Sequence, residues 1–471
     1  MLWRIHVSLS ILSICTYTLQ SANMSSPQTP FSILFKSKKV TMELELLSKE
    51  IIRPASPNHL QTLSLSLFDQ FLPSTYVSAI FFYDDQANQE EIVVQRLKGS
   101  LSQTLSLFYP FAGRIKDGVT VHCNDEGALF TEARADILLY DFLRNPSDAD
   151  LVHKLIASPD HADPDTWPLL HVKVIFFRDR GFAVAVSVSH KICDAASLST
   201  FVCSWTKAAK GYADTVNPEF AAADFYPPAD ITIEFPPLHV HETKSKTKSF
   251  YFGALMIEKL KNKASDGKRV PQATRVESIT ALLFRCMTKA HQSKVGEITE
   301  FAITQTMDLR PRVSTSLLPH KAIGNFFFLP LFMESSESKM EIQETVSKLH
   351  RTKEELNELI RNDPEDAKSR VEAKERIASA MLTSLCEVSP ETETYAVSSW
   401  CRMSFYEADF GWGNPVWVAP DSIDKTQVVL MDAKDVGGVE AWVTLSETDM
   451  AMFENDDELL FFVTPSPSVL I

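Results

Sequence analysis

Paired cysteines are missing from this chain. Its seven stand at positions 15, 123, 193, 203, 286, 386 and 401, far apart, odd in number and without a Cys-x-x-Cys. That excludes a disulfide framework and points to reduced thiols in a cytosolic, cytoplasmic enzyme. The 12 histidines are as scattered, and no pair stands at metal-ligand spacing with a supporting carboxylate, so no metal is expected. Positive charge is the minority sign: 46 Lys and Arg against 61 Asp and Glu leave a net −15, which argues against nucleic acid or an anionic membrane as partner. An anionic ligand therefore needs a local basic pocket. The sequence also lacks an apolar run long enough to span a bilayer, the Gly-x-Ser-x-Gly elbow of serine hydrolases, and any repeat of fixed period.

What is present is an ordinary globular composition, 45% hydrophobic and 23% charged over 471 residues, enough for two domains with cores of their own. Val7 to Leu19 is mostly apolar after a lone Arg4, but Gln20 stands where a signal-peptide cleavage site wants a small residue. Globular patterning begins only near Met42. Residues 1–41 are therefore expected to be a disordered extension or an upstream start the folded protein does not use.

The most informative stretch runs from Gly181 to Gly211. Phe182 to Ser189 is a run of Val, Ala and Ser with no charge and no proline, the pattern of a strand buried on both faces. The period then changes. Leu198, Phe201, Val202 and Trp205 fall at i, i+3, i+4 and i+7, a helical stripe that runs to a C-capping Gly211. Between strand and helix lie His190 and Asp194, an imidazole and a carboxylate four residues apart where the chain leaves the sheet, a usual place for sites in α/β proteins. On local grounds Asp194 is either a plain N-cap beside a satisfied polar His190, or the loop-shaping partner of a general base kept neutral by the apolar strand behind it. Cys193, three residues from His190, offers a thiol alternative without a visible low-pKa environment.

Elsewhere the pattern gives strands at residues 44–52, 77–83, 169–177 and 182–189. A helix is predicted from Gln89, with Ile92, Leu97, Leu101 and Leu105 as its stripe, ending at Pro110 and Gly113. Val119–Cys123 and Ala128–Ala133 flank Asn-Asp-Glu-Gly and read as a hairpin. Residues 225–237 are proline-rich and aperiodic, so a crossover linker is placed at 226–248 between domains at 42–225 and 249–471. In the second half, Ser249–Met256, Phe301–Met307, Asn325–Leu331, Val428–Met431 and Ala441–Leu445 read as strands, and Ile257–Ala264 and Arg275–Ala290 as helices. The charged run from Glu334 to Arg376 reads as long solvated helices. Asp409-Phe410-Gly411-Trp412-Gly413 reads as a tight bend pinned by a large ring.

Taken together, HKICD at 190–194 and DFGWG at 409–413, with YPFAGR at 109–114, CNDEGALF at 123–130, DLRPR at 308–312 and Gly324-Asn325, resemble the plant BAHD acyltransferases. The segment SSWCRMSFYEADFGWG looks most like the vinorine-synthase-like branch of that family. The resemblance covers the chain from about Met42 to its end. Ala195 stands where the family usually has glycine after the motif Asp, and as a small, good helix former it predicts no loss of activity.

The resemblance implies a mixed α+β, two-domain fold like that of chloramphenicol acetyltransferase, each domain a mixed sheet flanked by helices, with a channel between. It implies an enzyme, acting as a monomer, that moves an acyl group, acetyl first, from acyl-CoA to a hydroxyl of an alkaloid or terpenoid alcohol. Acyl-CoA is then a co-substrate, with no permanently bound cofactor. A volatile-ester-forming alcohol acyltransferase and a non-catalytic relative are the alternatives. In this reading His190 is the general base, and Asp194 turns away to pair with Arg310. Residues 409–413 shape the C-terminal domain and the CoA side of the channel. Asn325, Ser399 and Trp400 are candidates for oxyanion stabilisation, and Lys259, Lys261 and Lys263 for the CoA phosphates.

Overall fold

The computed structural model describes residues 41–465 apart from 59–61, 85–89, 145–148, 157–166, 213–215, 229–243, 296–299, 336–339, 361–366, 387–391 and 422–425. All but the last residue of the expected 1–41 extension, and most of the expected linker, lie outside the described residues.

In chain order the first half supplies strands β1 (Leu44–Ile52), β2 (Thr62–Ser64), β3 (Tyr76–Tyr83), β4 (Arg114–Lys116), β5 (Thr120–His122), β6 (Ala128–Ala135), β7 (Leu170–Phe176) and β8 (Phe182–Ser189). The second half supplies β9 (Ser245–Phe252), β10 (Glu300–Asp308), β11 (Phe327–Phe328), β12 (Leu331–Ser335), β13 (Glu393–Ser399), β14 (Trp417–Pro420), β15 (Gln427–Asp432), β16 (Val439–Ser446) and β17 (Thr464–Pro465). Two large sheets result. One runs β1-β6-β7-β8-β3-β14, the other β11-β10-β13-β15-β16-β9-β17 with β12 also on β10, and β2-β5-β4 form a small third sheet. Both large sheets are mixed, since β6–β7 and β10–β13–β15 pair in parallel and the neighbours of β8 pair antiparallel.

The uncharged run of β8 sits between β7 and β3 with all eight residues buried. Its helix, Ala195–Ala209, buries Leu198, Phe201, Val202 and Trp205 as the spacing predicts. Trp205 also donates its indole N–H to Ser100 Oγ at 3.0 Å, which docks this helix on the helix Glu90–Leu107. That second helix buries Leu97, Leu101 and Leu105 completely, but Ile92 is 54% exposed, and Val93 and Val94 take the inward positions.

Several expected elements differ. Thr120–His122 and Ala128–Ala135 are not a hairpin: β5 pairs with β2 and β4, whereas β6 pairs with β1 and β7. The turn residues between them do turn the chain, but β5 makes its hairpin with the preceding β4, while β6 finds its partners β1 and β7 far away in sequence. The strand expected at 249–256 is β9, which ends at Phe252, and Gly253 then starts the helix Ala254–Ala264. The strand expected at 325–331 is interrupted, only Phe327–Phe328 pairing before β12. The charged run does form long helices, Ile342–Ile360 and Ala367–Cys386.

Chain order does not divide the sheets. β14 leaves the second half to pair antiparallel with β3 on the edge of the first sheet. The first core accordingly contains Phe410, Trp417 and Val418 beside residues of β3 and β8.

Candidate active site

β8 delivers His190 to the seam between the sheets. Its backbone N–H donates to Thr75 O at 2.8 Å, and its half-buried ring stands edge-on to Phe327 of β11 at 6.3 Å. Nδ1 lies 3.1 Å from Asn325 Oδ1. The Asn325 amide nitrogen has both hydrogens committed, to Asp69 Oδ1 and to the His190 carbonyl, each at 2.7 Å. The atom facing Nδ1 is therefore an oxygen, which only accepts, so in the neutral ring Nδ1 carries the proton and Nε2 the lone pair. Gly324 sets up this contact: at φ +139 a Cβ would stand 2.7 Å from the Ala222 Cβ, so only glycine brings Asn325 to this position without displacing its neighbours.

Asp194 does both things the sequence left open. Oδ1 accepts from Ser197 N–H at 2.8 Å and so caps the helix. Both oxygens also meet Arg310, at 2.9 and 3.1 Å, in a bidentate pair. Arg310 is itself buried and spends its other hydrogens on Asp308, Ser197, Gly324 O and Ala322 O. Burial would raise the Asp194 pKa, but the Arg310 charge and hydrogen bonds outweigh it and hold the carboxylate below its ordinary range. This pair ties the helix of the first half to the 308–326 segment of the second. Cys193 offers no thiolate: it is fully buried, and burial, with Asp194 beside it, pushes its pKa well up.

A cavity of about 220 Å³ opens against His190. Its walls come from both sheets, with Val77 of β3 on one side and Phe327, Leu329 and Met403 on the other. Polar groups reach it from Thr306 and Asp308 on β10 and from Ser398 and Ser399 on β13. Burial raises the Asp308 pKa against the pull of Arg310. Sequence reading missed Asp69, Thr306 and Ser398. For Asp69 the Ser-x-x-Asp box at 66–69 was a legible helix start, but its contact with Asn325 spans 256 residues.

Of the expected oxyanion candidates, Ser399 lines the cavity, while Asn325 and Trp400 are differently employed. Asn325 has no amide hydrogen to spare, and its place is beside the imidazole rather than across from it. Trp400 borders the cavity, but its backbone N–H donates to Leu430 O at 2.7 Å and its indole N–H to Ser398 Oγ at 3.2 Å. Nor does the structure bring the lysines together with His190. Lys259, Lys261 and Lys263 lie on the helix Ala254–Ala264 away from the cavity lining. Lys261 pairs with Glu258 at 2.8 Å, Lys263 pairs with Glu458 at 2.6 Å, and Lys259 is exposed.

The 409–413 bend packs on the first sheet instead of shaping the second. Phe410 is fully buried edge-on to Trp205 at 4.7 Å. Trp412 meets Phe182 of β8 and Tyr83 of β3 at 5.3 and 5.9 Å. Asp409 Oδ1 accepts from the Gly411 and Gly413 N–H groups, and Oδ2 pairs with Lys210 at 3.2 Å. Lys210 caps the C-terminal end of the helix that Asp194 begins. The two motifs therefore hold opposite ends of one 15-residue helix, about 22 Å apart at 1.5 Å per residue.

Two mixed sheets flanked by helices, with His190 at a cavity lined from both, are the chloramphenicol-acetyltransferase-like two-domain fold that this chain shares with solved acyltransferases. The sequence profile of the Transferase family matches residues 42–460. BAHD acyltransferase BIA1 of Arabidopsis thaliana is 42% identical, over 91% of this chain and 99% of that protein. Limonoid 7-O-acetyltransferase of Citrus sinensis is 31% identical, over 91% of this chain and 100% of its own. The crystal structure of vinorine synthase, the Rauvolfia serpentina enzyme, superposes with a TM-score of 0.75 at 30% identity, over 91% of this chain and 100% of that one. The chain belongs to the BAHD family and is an acyltransferase.

Proposed function

We propose that this enzyme is an acyl-CoA-dependent O-acyltransferase that moves acetyl from acetyl-CoA to a hydroxyl of a plant specialised metabolite, an alkaloid or terpenoid alcohol. The observation that carries the reading is the Asn325 oxygen on His190 Nδ1, which makes Nε2 the nitrogen of the neutral ring that can take an acceptor's proton. An alcohol ionises far above neutral pH, so it needs a base at the moment of attack. Nε2 takes the hydroxyl proton as the acceptor oxygen bonds to the thioester carbonyl carbon. The tetrahedral adduct then breaks its C–S bond, and the imidazolium returns the proton to the departing thiolate, giving ester and free CoA. The thioester is already activated, so no acyl-enzyme is needed. Thr306, Ser398 and Ser399 line the same cavity, and among them we look for the hydroxyl that stabilises the oxyanion.

The cavity walls and the relatives support the acceptor class. Leu72, Val77, Phe327, Leu329 and Met403 offer a largely apolar lining, which suits a polycyclic alcohol better than a small volatile one. The Citrus relative is a limonoid 7-O-acetyltransferase, and a Catharanthus roseus relative is stemmadenine O-acetyltransferase.

Incubation with labelled acetyl-CoA and a panel of alkaloid, terpenoid and short-chain alcohols tests this directly. A labelled ester from a polycyclic alcohol is expected, and His190→Ala should lower its turnover by about 10²- to 10⁴-fold. Products from short-chain alcohols alone would overturn the acceptor class, and near-wild-type turnover in His190→Ala the base.

A further inference from the structure

If His190 is the base, the orientation of one amide decides whether it can act. Turned by half a revolution, the Asn325 side chain would offer N–H to Nδ1. The ring proton would then reside on Nε2, where the lone pair is required. Two acceptors hold the amide the productive way round. One is the His190 carbonyl and the other is Asp69 Oδ1, each 2.7 Å from Nδ2.

Asp69 lies in the first turn of the helix Leu67–Phe71, 2% exposed. Its Oδ2 accepts from the Ser66 backbone N–H at 2.9 Å, and its own N–H donates to Ser66 Oγ at 3.1 Å. A capping box needs no more than that, and such boxes function on the surface. Here the carboxylate is buried, so its pKa rises to about 6 despite the hydrogen bonds from Asn325 and Ser66, and its second oxygen is aimed at the residue that holds His190.

We propose that Asp69 is a positioning residue for acyl transfer: its carboxylate selects the amide orientation of Asn325, and through it the Nδ1–H tautomer of His190. The inference rests on His190 acting as the base. Asp69→Asn is the discriminating change, because it leaves a single acceptor oxygen to serve two donors, Ser66 N–H and Asn325 N–H. One of them must then face an NH₂ group.

The test uses the full chain with acetyl-CoA and the acceptor identified by the panel above. Asp69→Asn is expected to lower kcat about 10²-fold while leaving the acetyl-CoA KM nearly unchanged. Nitrogen-15 NMR of histidine-labelled protein should show His190 Nε2 unprotonated at neutral pH in the wild type and largely protonated in the variant. Ser66→Ala weakens the same helix cap and removes one hydroxyl contact to the carboxylate while leaving the Asn325 bond to Asp69 Oδ1 in place, and is expected to keep both kcat and tautomer. Asn325→Leu added to Asp69→Asn should bring little further loss, since both act on one ring.

A folded Asp69→Asn with kcat within about twofold of wild type rejects the proposal, as does an unchanged tautomer. Equal loss in Ser66→Ala reduces Asp69 to a helix cap. Should Asp69→Asn not fold, the wild-type spectrum still decides, because protonated Nε2 at neutral pH overturns the proposal by itself. Full turnover in His190→Ala instead removes the base reading, so the two failures are told apart.

Discussion

Arg310 is 6% exposed, and its guanidinium has partners on every side. Removing it strands Asp194 in the interior. A broken buried pair of this kind costs about 3–5 kcal/mol, and the pH dependence gives it a signature. In the wild type the folded pKa of Asp194 is depressed, so its contribution is complete above the ordinary carboxylate range and is lost only as pH falls through the lower folded value. In Arg310→Ala, burial is opposed only by the backbone N–H groups of Ser197 and Phe326 and raises that pKa above its unfolded value. The variant's deficit should therefore grow as pH rises from 5 to 7. Urea denaturation at both pH values checks this; Glu440, whose shift comes from burial and Trp417, drops out of the difference, whereas Asp69 feels the Asp194 charge and Asp308 loses Arg310, so both move with it. An equal deficit at both pH values would show that Asp194 is not buried alone in the variant. His190 and Asp194 were legible in the sequence because a strand-to-helix change of period brackets them. Asp69 was not, because its capping signal says where a helix starts and nothing about which distant amide the spare oxygen meets.

At the scale of elements, the 409–413 bend is a clasp for the helix Ala195–Ala209. Gly411 has φ +104, and a Cβ there would stand 2.6 Å from Arg96 Nη1. That guanidinium reaches the carbonyls of Phe410 and Gly411 and lies over the Trp412 ring at 5.7 Å. Gly411→Ala combines backbone strain with displacement of Arg96, so a stability loss of about 1–3 kcal/mol is expected. Turnover per folded molecule should stay close to wild type, because no residue from 409 to 413 borders the cavity. A selective fall in kcat with unchanged stability would contradict the structural role. The bend and its anchoring Trp were readable from two glycines around a large ring. Its seat was not: nothing local in DFGWG specifies Phe182, Tyr83 or Trp205 as neighbours. The false hairpin at 119–133 failed for the same reason, since turn chemistry was read correctly while strand pairing was decided by β1, β2 and β7.

Across the whole molecule, the two sheets are joined through a buried carboxyl. Glu440 of β16 accepts from Trp417 Nε1 of β14 at 3.1 and 3.3 Å. Burial pushes its pKa up to about 7, with only the Trp417 hydrogen bond opposing. The folded protein therefore holds a proton that the unfolded chain releases near the ordinary Glu pKa of about 4.3. Stability contributed here falls as pH rises from that value through 7 and then levels off. Glu440→Gln keeps an acceptor for the indole and removes the charge, so its melting temperature should exceed the wild type's at pH 8 and converge with it near pH 4. With a folded pKa of about 7 against about 4.3 unfolded, the gain at pH 8 is about 3–4 kcal/mol. Scanning calorimetry at the two pH values checks this, and parallel pH profiles would show that Glu440 is not the group responsible. The mixed, two-domain architecture was legible from alternating strand and helix periods and from the family's motifs. The link between the sheets was not, because Trp417–Pro420 is a four-residue apolar run whose sequence does not say which sheet it joins.

That short run also limits how the protein can be cut and recombined. β3 has β8 on one side and β14 on the other, so a fragment ending before residue 417 would leave a long apolar strand edge exposed and inclined to pair with other molecules. Exchange of halves between relatives must respect the same constraint. A hybrid that takes its front from one parent and its back from another inherits a foreign lace through the front sheet, and the workable crossover is one that moves 417–420 together with the strand it closes.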